Sequence, residues 1–247
     1  MAHWLQAEVL ENHRWTEGLY SLRFSAPLPA FKAGQFVRVG LDIDGERVGR
    51  PYSLVNAPGR QPAEIYYNPV PGGPLSPRLA ALQPGDMLWV SDSINGFLVL
   101  DEVPDAHHLW LLATGTGLGP FISILATEEP WRRFEQVVLV HSVRTAAQLG
   151  YRQRLAELTA RHPGRFHYVP TVTREACADA LGQRIPALLA DGSLEAAAGI
   201  ALTPDDAHVM LCGSNAMISD THTLLEQRGL RRHRRRQPGH ITVEKYH

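Results

Sequence analysis

Cysteine is nearly absent from this chain: Cys177 and Cys212 are the only two among 247 residues. Two thiols cannot supply the four ligands of a [2Fe–2S] cluster or of a Cys-only zinc site. Nor can they build a disulfide framework, so the reducing cytoplasm is the expected compartment. Long apolar runs are missing too. No stretch approaches the roughly 20 residues that cross a bilayer, so no membrane association is expected. Met1-Ala2-His3-Trp4 has no basic segment followed by an apolar run, so no secretory signal is expected either. A dominant charge is lacking, since the formal net charge is −1. That gives no overall pull toward nucleic acid. Repeats and low-complexity segments are absent. The 12 histidines include no H-E-x-x-H and no His/Cys cluster at ligand spacing, so no metal is expected. The adjacent His107 and His108 would face opposite ways in a strand.

What is present changes texture along the chain. Up to Leu100 the apolar segments are short and often alternate. Tyr20, Leu22 and Phe24 are separated by Ser21 and Arg23, and Val37, Val39 and Leu41 by Arg38 and Gly40. Period two marks half-buried strands. Ala33-Gly34, Asp44-Gly45, Pro71-Gly72-Gly73 and Pro84-Gly85-Asp86 punctuate them, and Asp44-Gly45 reads as a hairpin turn. A small antiparallel barrel or sandwich is expected. After Pro104, continuous apolar runs appear at 109–113, 137–140 and 209–212, suited to strands buried on both faces of a parallel sheet. Helical patterns lie between them. Tyr151, Leu155 and Leu158 share one face; Met217, Thr221, Leu224 and Leu225 share another. Alternating strand and helix implies a doubly wound sheet. The two domains are expected at 1–101 and 102–247, with the boundary in 101–105.

Three segments carry candidate chemistry. Arg50-Pro51-Tyr52-Ser53-Leu54 leaves a strand of the first domain. Arg50 offers a planar fork suited to a diphosphate; Tyr52 offers a flat ring and Ser53 a hydroxyl. By itself the segment also fits a strand with a surface arginine and a core tyrosine. Gly115-Thr116-Gly117-Leu118-Gly119-Pro120 follows one apolar run and precedes a helical pattern at 121–125. Glycines let the backbone approach a ligand, a helix N-terminus favours anions, and Pro120 suits a first turn. The spacing is G-x-G-x-G, not the G-x-G-x-x-G of the dinucleotide fingerprint. Cys212-Gly213-Ser214-Asn215 ends another buried strand before another helix. In an open parallel sheet, ligands gather at the carboxyl ends of strands, so both loops would converge there.

Together with Gly72-Gly73-Pro74-Leu75-Ser76-Pro77-Arg78-Leu79, Arg184-Ile185-Pro186 and Pro238-Gly239-His240, these segments make the chain recognisable along its length. It resembles the bacterial-type ferredoxin (flavodoxin)–NADP reductases. The resemblance implies an antiparallel β-barrel that binds FAD, followed by a doubly wound parallel-sheet domain that binds NADP. It implies that Arg50, Pro51, Tyr52 and Ser53 hold the diphosphate and isoalloxazine. Tyr66 would flank the flavin, Pro74, Leu75 and Ser76 would lie along its diphosphate and ribitol, and Thr116 would sit near both cofactors. Val143, Arg144, Thr173, Arg174 and Arg184 match the NADP positions, with Ser214, Asn215 and Asp220 also assigned to NADP. Pro74 stands where relatives often carry a basic residue, and Pro69 suggests an edge or a bulge.

Guanidinium groups bind a 2′-phosphate bidentately, whereas an acidic residue at a strand end would favour the ribose hydroxyl of NAD. Arg144 and Arg174, each following a strand-like run, therefore favour NADP. The expected activity is hydride exchange between NADPH and flavin N5, then single-electron exchange with a ferredoxin or flavodoxin. Ser53 and Glu244 are expected near N5. A ring at the chain end, Tyr246 or His247, is expected to stack on the flavin and gate the nicotinamide. Ferredoxins and flavodoxins are acidic, so the basic run Arg231 to Arg236 would steer their encounter; a merely solvated loop is the plainer alternative. A monomer is expected. The rival readings are an NADH-dependent reductase component of an oxygenase, a free-flavin reductase, and a non-catalytic nucleotide-binding module.

Overall fold

A computed structural model describes residues 3–245. The chain divides into two compact units. One holds the residues up to Val99 together with Gly119–Thr127. The other holds Leu100–Leu118 and the residues from Glu128 onward.

The first unit is a six-stranded antiparallel sheet made of β1 (Trp4–Thr16), β2 (Leu19–Ser25), β3 (Phe36–Ile43), β4 (Glu46–Ser53), β5 (Ala63–Tyr67) and β6 (Met87–Ser91). Their order is β4-β3-β6-β1-β2-β5. The outer strands meet where Leu54 bridges Ile65 and the Val55 amide donates to the Glu64 carbonyl at 2.8 Å. That contact closes the sheet into a barrel and removes its open edges. Asp44 (φ 52°) and Gly45 (φ 84°) both turn left-handed, the geometry a two-residue hairpin needs. Val9, Leu22, Phe24, Val37, Val39, Leu54 and Ile65 are fully buried and fill the barrel. A short helix, α1 (Ser76–Ala81), plugs it through Leu75 and Leu79. A second helix, α2 (Leu118–Leu125), belongs mostly to this unit. There the Ser123 hydroxyl donates to the Asn56 carbonyl at 2.8 Å.

The second unit is a parallel sheet of β7 (His108–Thr114), β8 (Gln136–Val143), β9 (Phe166–Val172), β10 (Ala207–Gly213) and β11 (Ile241–Lys245). The helices are α3 (Glu129–Arg133), α4 (Arg152–Arg161), α5 (Ile185–Ala190), α6 (Ser193–Ala198) and α7 (Asn215–Gln227). Strand order is β11-β10-β7-β8-β9. The winding therefore reverses between β7 and β10, the switch point where open α/β sheets bind ligands. Trp110, Leu112, Val138, Val140, Val209 and Leu211 pack one face against Leu188, Leu194, Ile218 and Leu225 of the helices. Among the described residues no helix is long and apolar enough to cross a membrane, and no cluster of metal-ligating side chains occurs.

The two-part fold class agrees with the expectation from periodicity; three local readings differ. Ser21 is buried, not outward, because Trp15 Nε1 donates to its hydroxyl at 3.1 Å and so satisfies it in place. Tyr151 is the left-handed cap before α4 (φ 57°), although its ring is buried with Leu155 and Leu158 as the pattern requires. Helix α2 starts at Leu118 rather than Phe121. Gly115–Gly117 forms a 3₁₀ turn that runs directly into it, and Pro120 occupies its first turn.

One long-range tie holds α1 to β1. Asn12 Nδ2 donates to the carbonyls of Leu79 and Leu82, at 2.9 and 3.0 Å, and its Oδ1 accepts from the Tyr67 hydroxyl at 3.3 Å. Both carbonyls lie at the helix's C-terminal end, where the backbone ladder runs out, and that of Leu79 also accepts from the Leu82 amide at 3.2 Å. Asn12→Ala should lower unfolding free energy by about 1–2 kcal/mol in denaturant titrations. An unchanged midpoint would mean that water replaces the amide at no cost.

Candidate functional site

The barrel unit gathers the first set of expected residues on two joined strands. Arg50, Pro51, Tyr52 and Ser53 are the last four residues of β4, and Tyr66 lies on β5. The Leu54–Ile65 bridge sets Ser53 and Tyr66 beside one another on the closing seam. Arg50 and Pro51 are exposed, Tyr52 is half-buried and Ser53 is buried. The Arg50 guanidinium meets only the neighbouring Gly49 carbonyl, at 3.0 Å, and no carboxylate among the described residues. The Tyr52 ring stands edge-on to Tyr67 at 6.0 Å, which in turn stacks with Tyr20. Burial pushes the Tyr52 hydroxyl up to about 12, against the opposing pull of the Arg50 charge, so it stays a neutral donor. Leu75 and Ser76 lie where α1 begins, Leu75 in the barrel core and the Ser76 hydroxyl accepting from the Val70 amide at 2.8 Å. Pro74 is exposed, and its carbonyl accepts from the Arg78 guanidinium at 2.6 Å. A Cβ on Gly119 would lie 3.5 Å from Val55 and 3.8 Å from Tyr66, so the start of α2 runs close over the same seam.

The parallel-sheet unit gathers the second set along the carboxyl ends of its strands. After β7, Gly115 adopts φ 52° with open space beyond it, Thr116 follows, and Gly117 presses on β10. A Cβ on Gly117 would collide with the Cys212 carbonyl and stand 2.9 Å from the Gly213 Cα. Gly213 (φ 136°) in turn lies against Thr114, whose hydroxyl accepts from the Ser214 amide at 2.9 Å. Ser214 then caps α7 by accepting from the Met217 amide at 3.3 Å, and Asn215 opens the helix. Glu244, half-buried, pairs in register with Cys212 on β11.

At the other side of this edge, β8 and β9 continue as a pair past their last regular residues. The Thr173 amide donates to the Val143 carbonyl at 3.0 Å, and the Arg174 amide to the Arg144 carbonyl at 2.9 Å. Arg144 and Arg174 are thereby main-chain neighbours, both exposed. Arg184, also exposed, caps α5 three residues after Leu181, which bridges Thr171 of β9. Among the described residues none of these three guanidiniums pairs with a carboxylate. Val143 differs in kind: its side chain is buried with Leu149 and Val172, and its carbonyl accepts from both the amide and the hydroxyl of Thr173. Asp220 stands exposed on α7, beyond the cap and on the β10 side of the sheet. Three strand spacings, about 14 Å, separate β10 from β9, room for an extended dinucleotide along the edge.

Sequence reasoning missed Thr114, which ties the two loop backbones together, and His141. The His141 ring is fully buried on β8, and its Nε2 donates to the Gly115 carbonyl at 3.0 Å. Desolvation pushes it down to about 4, partly opposed by that carbonyl, so it is neutral at physiological pH. Tyr246 and His247, expected to stack on a flavin, lie outside the described residues. The basic run proves to be a loop folded against β11. His233 donates its amide to the Ile241 carbonyl at 2.8 Å, and Arg234 and Gln237 exchange main-chain bonds. Arg235 clamps Glu102 through Nε and Nη2, at 3.0 and 2.9 Å. Arg231, Arg232, Arg234 and Arg236 are exposed.

Comparison with known proteins agrees with the two-part fold. The oxidoreductase NAD-binding domain family matches residues 111–223. A flavodoxin/ferredoxin–NADP reductase of Shigella flexneri is 49% identical over 247 residues, covering 100% of both chains. That of Escherichia coli (strain K12) is 48% identical over the same span. A crystal structure of a ferredoxin NADP+ reductase from Neisseria gonorrhoeae with bound FAD and NADP superimposes with a TM-score of 0.94. It is 36% identical, with 99% of each chain covered.

The glycine contacts yield a direct test. Gly213→Ala forces a side chain onto Thr114 at a φ that L-residues rarely adopt, so it should cost at least about 2 kcal/mol of stability. Thermal unfolding of this variant should show a clearly lowered midpoint; a wild-type midpoint would mean the two loops do not meet as described.

Proposed function

This chain belongs to the flavodoxin/ferredoxin–NADP reductase family, and from that premise we propose how its residues divide the work. It is an oxidoreductase that exchanges electrons between NADPH and a flavodoxin or ferredoxin, with FAD as its cofactor. FAD, when bound, supplies the conversion between a hydride's electron pair and electrons passed singly. The protein's part is binding, orientation and control of charge.

The barrel residues fit a flavin by their chemistry. Arg50 is a guanidinium without a carboxylate partner among the described residues, available to a diphosphate. Tyr52 presents a half-buried ring for stacking and a hydroxyl that stays protonated. Ser53 and Tyr66 share the seam beside it. In the proposal these residues, with Pro74, Leu75 and Ser76, make residues 1–101 the flavin-binding part. Ser53 holds a hydrogen bond at flavin N5, and Glu244 handles the proton there.

The parallel-sheet part, 102–247, takes the nucleotide. Its glycine turn after β7 is open above Gly115, so backbone and the Thr116 hydroxyl can meet the reacting end. Ser214, Asn215 and Asp220 follow β10, nearer that end. Val143 and Thr173 border the adenosine end through their paired backbones. The observation that carries the reading is the main-chain pairing of Arg144 with Arg174 at the ends of β8 and β9, with Arg184 three residues after the bridge to β9, all without a carboxylate partner among the described residues. Three such cations favour a dianionic 2′-phosphate, hence NADP over NAD.

For the partner, we propose that the loop Arg231 to Arg236 meets the carrier's acidic surface. Arg231, Arg232, Arg234 and Arg236 supply the charge, while the Arg235–Glu102 clamp shapes the loop. Neither Cys177 nor Cys212 is in a disulfide, which fits a reducing cytoplasm, and we place the enzyme there as a monomer.

Arg144→Ala, Arg174→Ala and Arg184→Ala should each weaken NADPH binding roughly tenfold while leaving NADH binding nearly unchanged. Equal losses for both nucleotides, measured by titration, would contradict a 2′-phosphate site. Arg234→Ala combined with Arg236→Ala should raise the apparent KM for the carrier at low salt, with the difference from wild type vanishing at high salt. A KM that tracks the wild type at every ionic strength would place docking elsewhere.

A further inference from the structure

We infer that His141 is a positioning residue for hydride transfer, holding the turn Gly115–Gly117 in register through its bond to the Gly115 carbonyl. The inference rests on the reading that this turn borders the reacting end of the nucleotide.

The sequence around His141 gives it no other polar work. It follows Val137 to Val140 in β8, all buried and apolar. In register it lies beside Ala113 on β7, two residues before the turn. An apolar side chain would pack there with no polar atom to desolvate. Instead a fully buried imidazole makes one hydrogen bond, Nε2 to the Gly115 oxygen, at 3.0 Å. Its other nitrogen, Nδ1, is buried and has no hydrogen-bond partner among the described residues. A carbonyl can only accept, so Nε2 must carry the proton and Nδ1 must be bare. The ring is therefore committed to a single neutral tautomer and a single contact.

That contact completes a clamp. On one side of the turn, Gly117 lies against the Cys212–Gly213 backbone of β10, too close for any side chain. On the other side stands His141 of β8. Gly115 itself is the residue that reverses the chain, with φ 52°, and its carbonyl already accepts from the Leu118 amide that starts α2. The imidazole takes the remaining acceptor capacity and fixes the orientation of the peptide plane joining Gly115 to Thr116. Thr116 inherits its placement from that plane. The His141 ring is itself fully buried, so its effect is on where Thr116 and its amide stand.

The test compares His141→Phe, which keeps a flat buried ring but removes the donor, with His141→Gln, whose Nε2 can reach the same oxygen. In rapid anaerobic mixing with NADPH, His141→Phe should slow flavin reduction roughly ten- to a hundredfold. His141→Gln should recover most of that rate. Bound FAD and the affinity for 2′,5′-ADP, which reads the arginines at the ends of β8 and β9, should stay at wild-type values in both. Equal reduction rates in wild type and His141→Phe would overturn the positioning role. So would a loss that Gln does not relieve. Nitrogen NMR of the wild-type holoenzyme at neutral pH gives an independent reading, expected to show a protonated Nε2 and a bare Nδ1 for His141; the opposite tautomer would overturn the inference. Failure of the functional reading shows separately, in the wild-type reduction rate, whereas the nitrogen spectrum needs no nucleotide.

Discussion

Two backbones that touch set the terms for the nucleotide half of this protein. The turn after β7 and the end of β10 approach so closely that neither Gly117 nor Gly213 has room for a Cβ. Winding a parallel sheet in both directions from one central strand leaves those two strand ends adjacent with their connections departing to opposite sides. Glycine at each facing position allows the contact, and the Thr114 hydroxyl locks it by accepting from the Ser214 amide. From that contact follow the entry of α2, the cap of α7 and the open space above Gly115.

Charge is distributed along the same edge by what each group lacks. Elsewhere, several exposed arginines are satisfied within the chain: Arg47 by Asp42, Arg23 by Glu11, Arg235 by Glu102. Arg144, Arg174 and Arg184 have no carboxylate among the described residues, and Arg144 and Arg174 are held side by side by their backbones. Like charges kept together gain from an anion that joins them. The turn after β7 is neutral instead, built from a histidine kept unprotonated by burial, a threonine hydroxyl and peptide amides, with the Glu244 carboxylate on β11 in register with Cys212. Cations gathered at one end and a neutral backbone turn at the other suit a ligand with a phosphate at one end and a flat ring at the other.

Much of this was legible from the residues, and the physical reason is range. Asp44-Gly45 announced a hairpin because the turn demands left-handed backbone from two adjacent residues, a local requirement. The buried runs at 109–113, 137–140 and 209–212 announced parallel strands because both faces of each are covered. Arg144 and Arg174 could be paired on paper, since both follow such runs. What stayed hidden depends on contacts across the fold. Asn12 holds α1 from 67 and 70 residues away, and Arg235 finds Glu102 across 133. Ser21 alternates as a surface residue would, yet Trp15 satisfies it in the interior. His141 reads as one more residue of an apolar strand until the Gly115 carbonyl is seen beside it. The membership of Gly119–Thr127 in the barrel unit was likewise invisible, because its helical pattern follows directly on the first strand of the parallel sheet.

The central claim is that the barrel holds a flavin which a nucleotide, anchored by its 2′-phosphate, reduces. Its most direct test is the visible spectrum of the purified protein, recorded without oxygen before and after NADPH. A yellow protein whose flavin absorbance bleaches with NADPH, and far more slowly with the same concentration of NADH, is the expected result. A colourless protein that FAD does not restore, or bleaching equally fast with NADH, would contradict it.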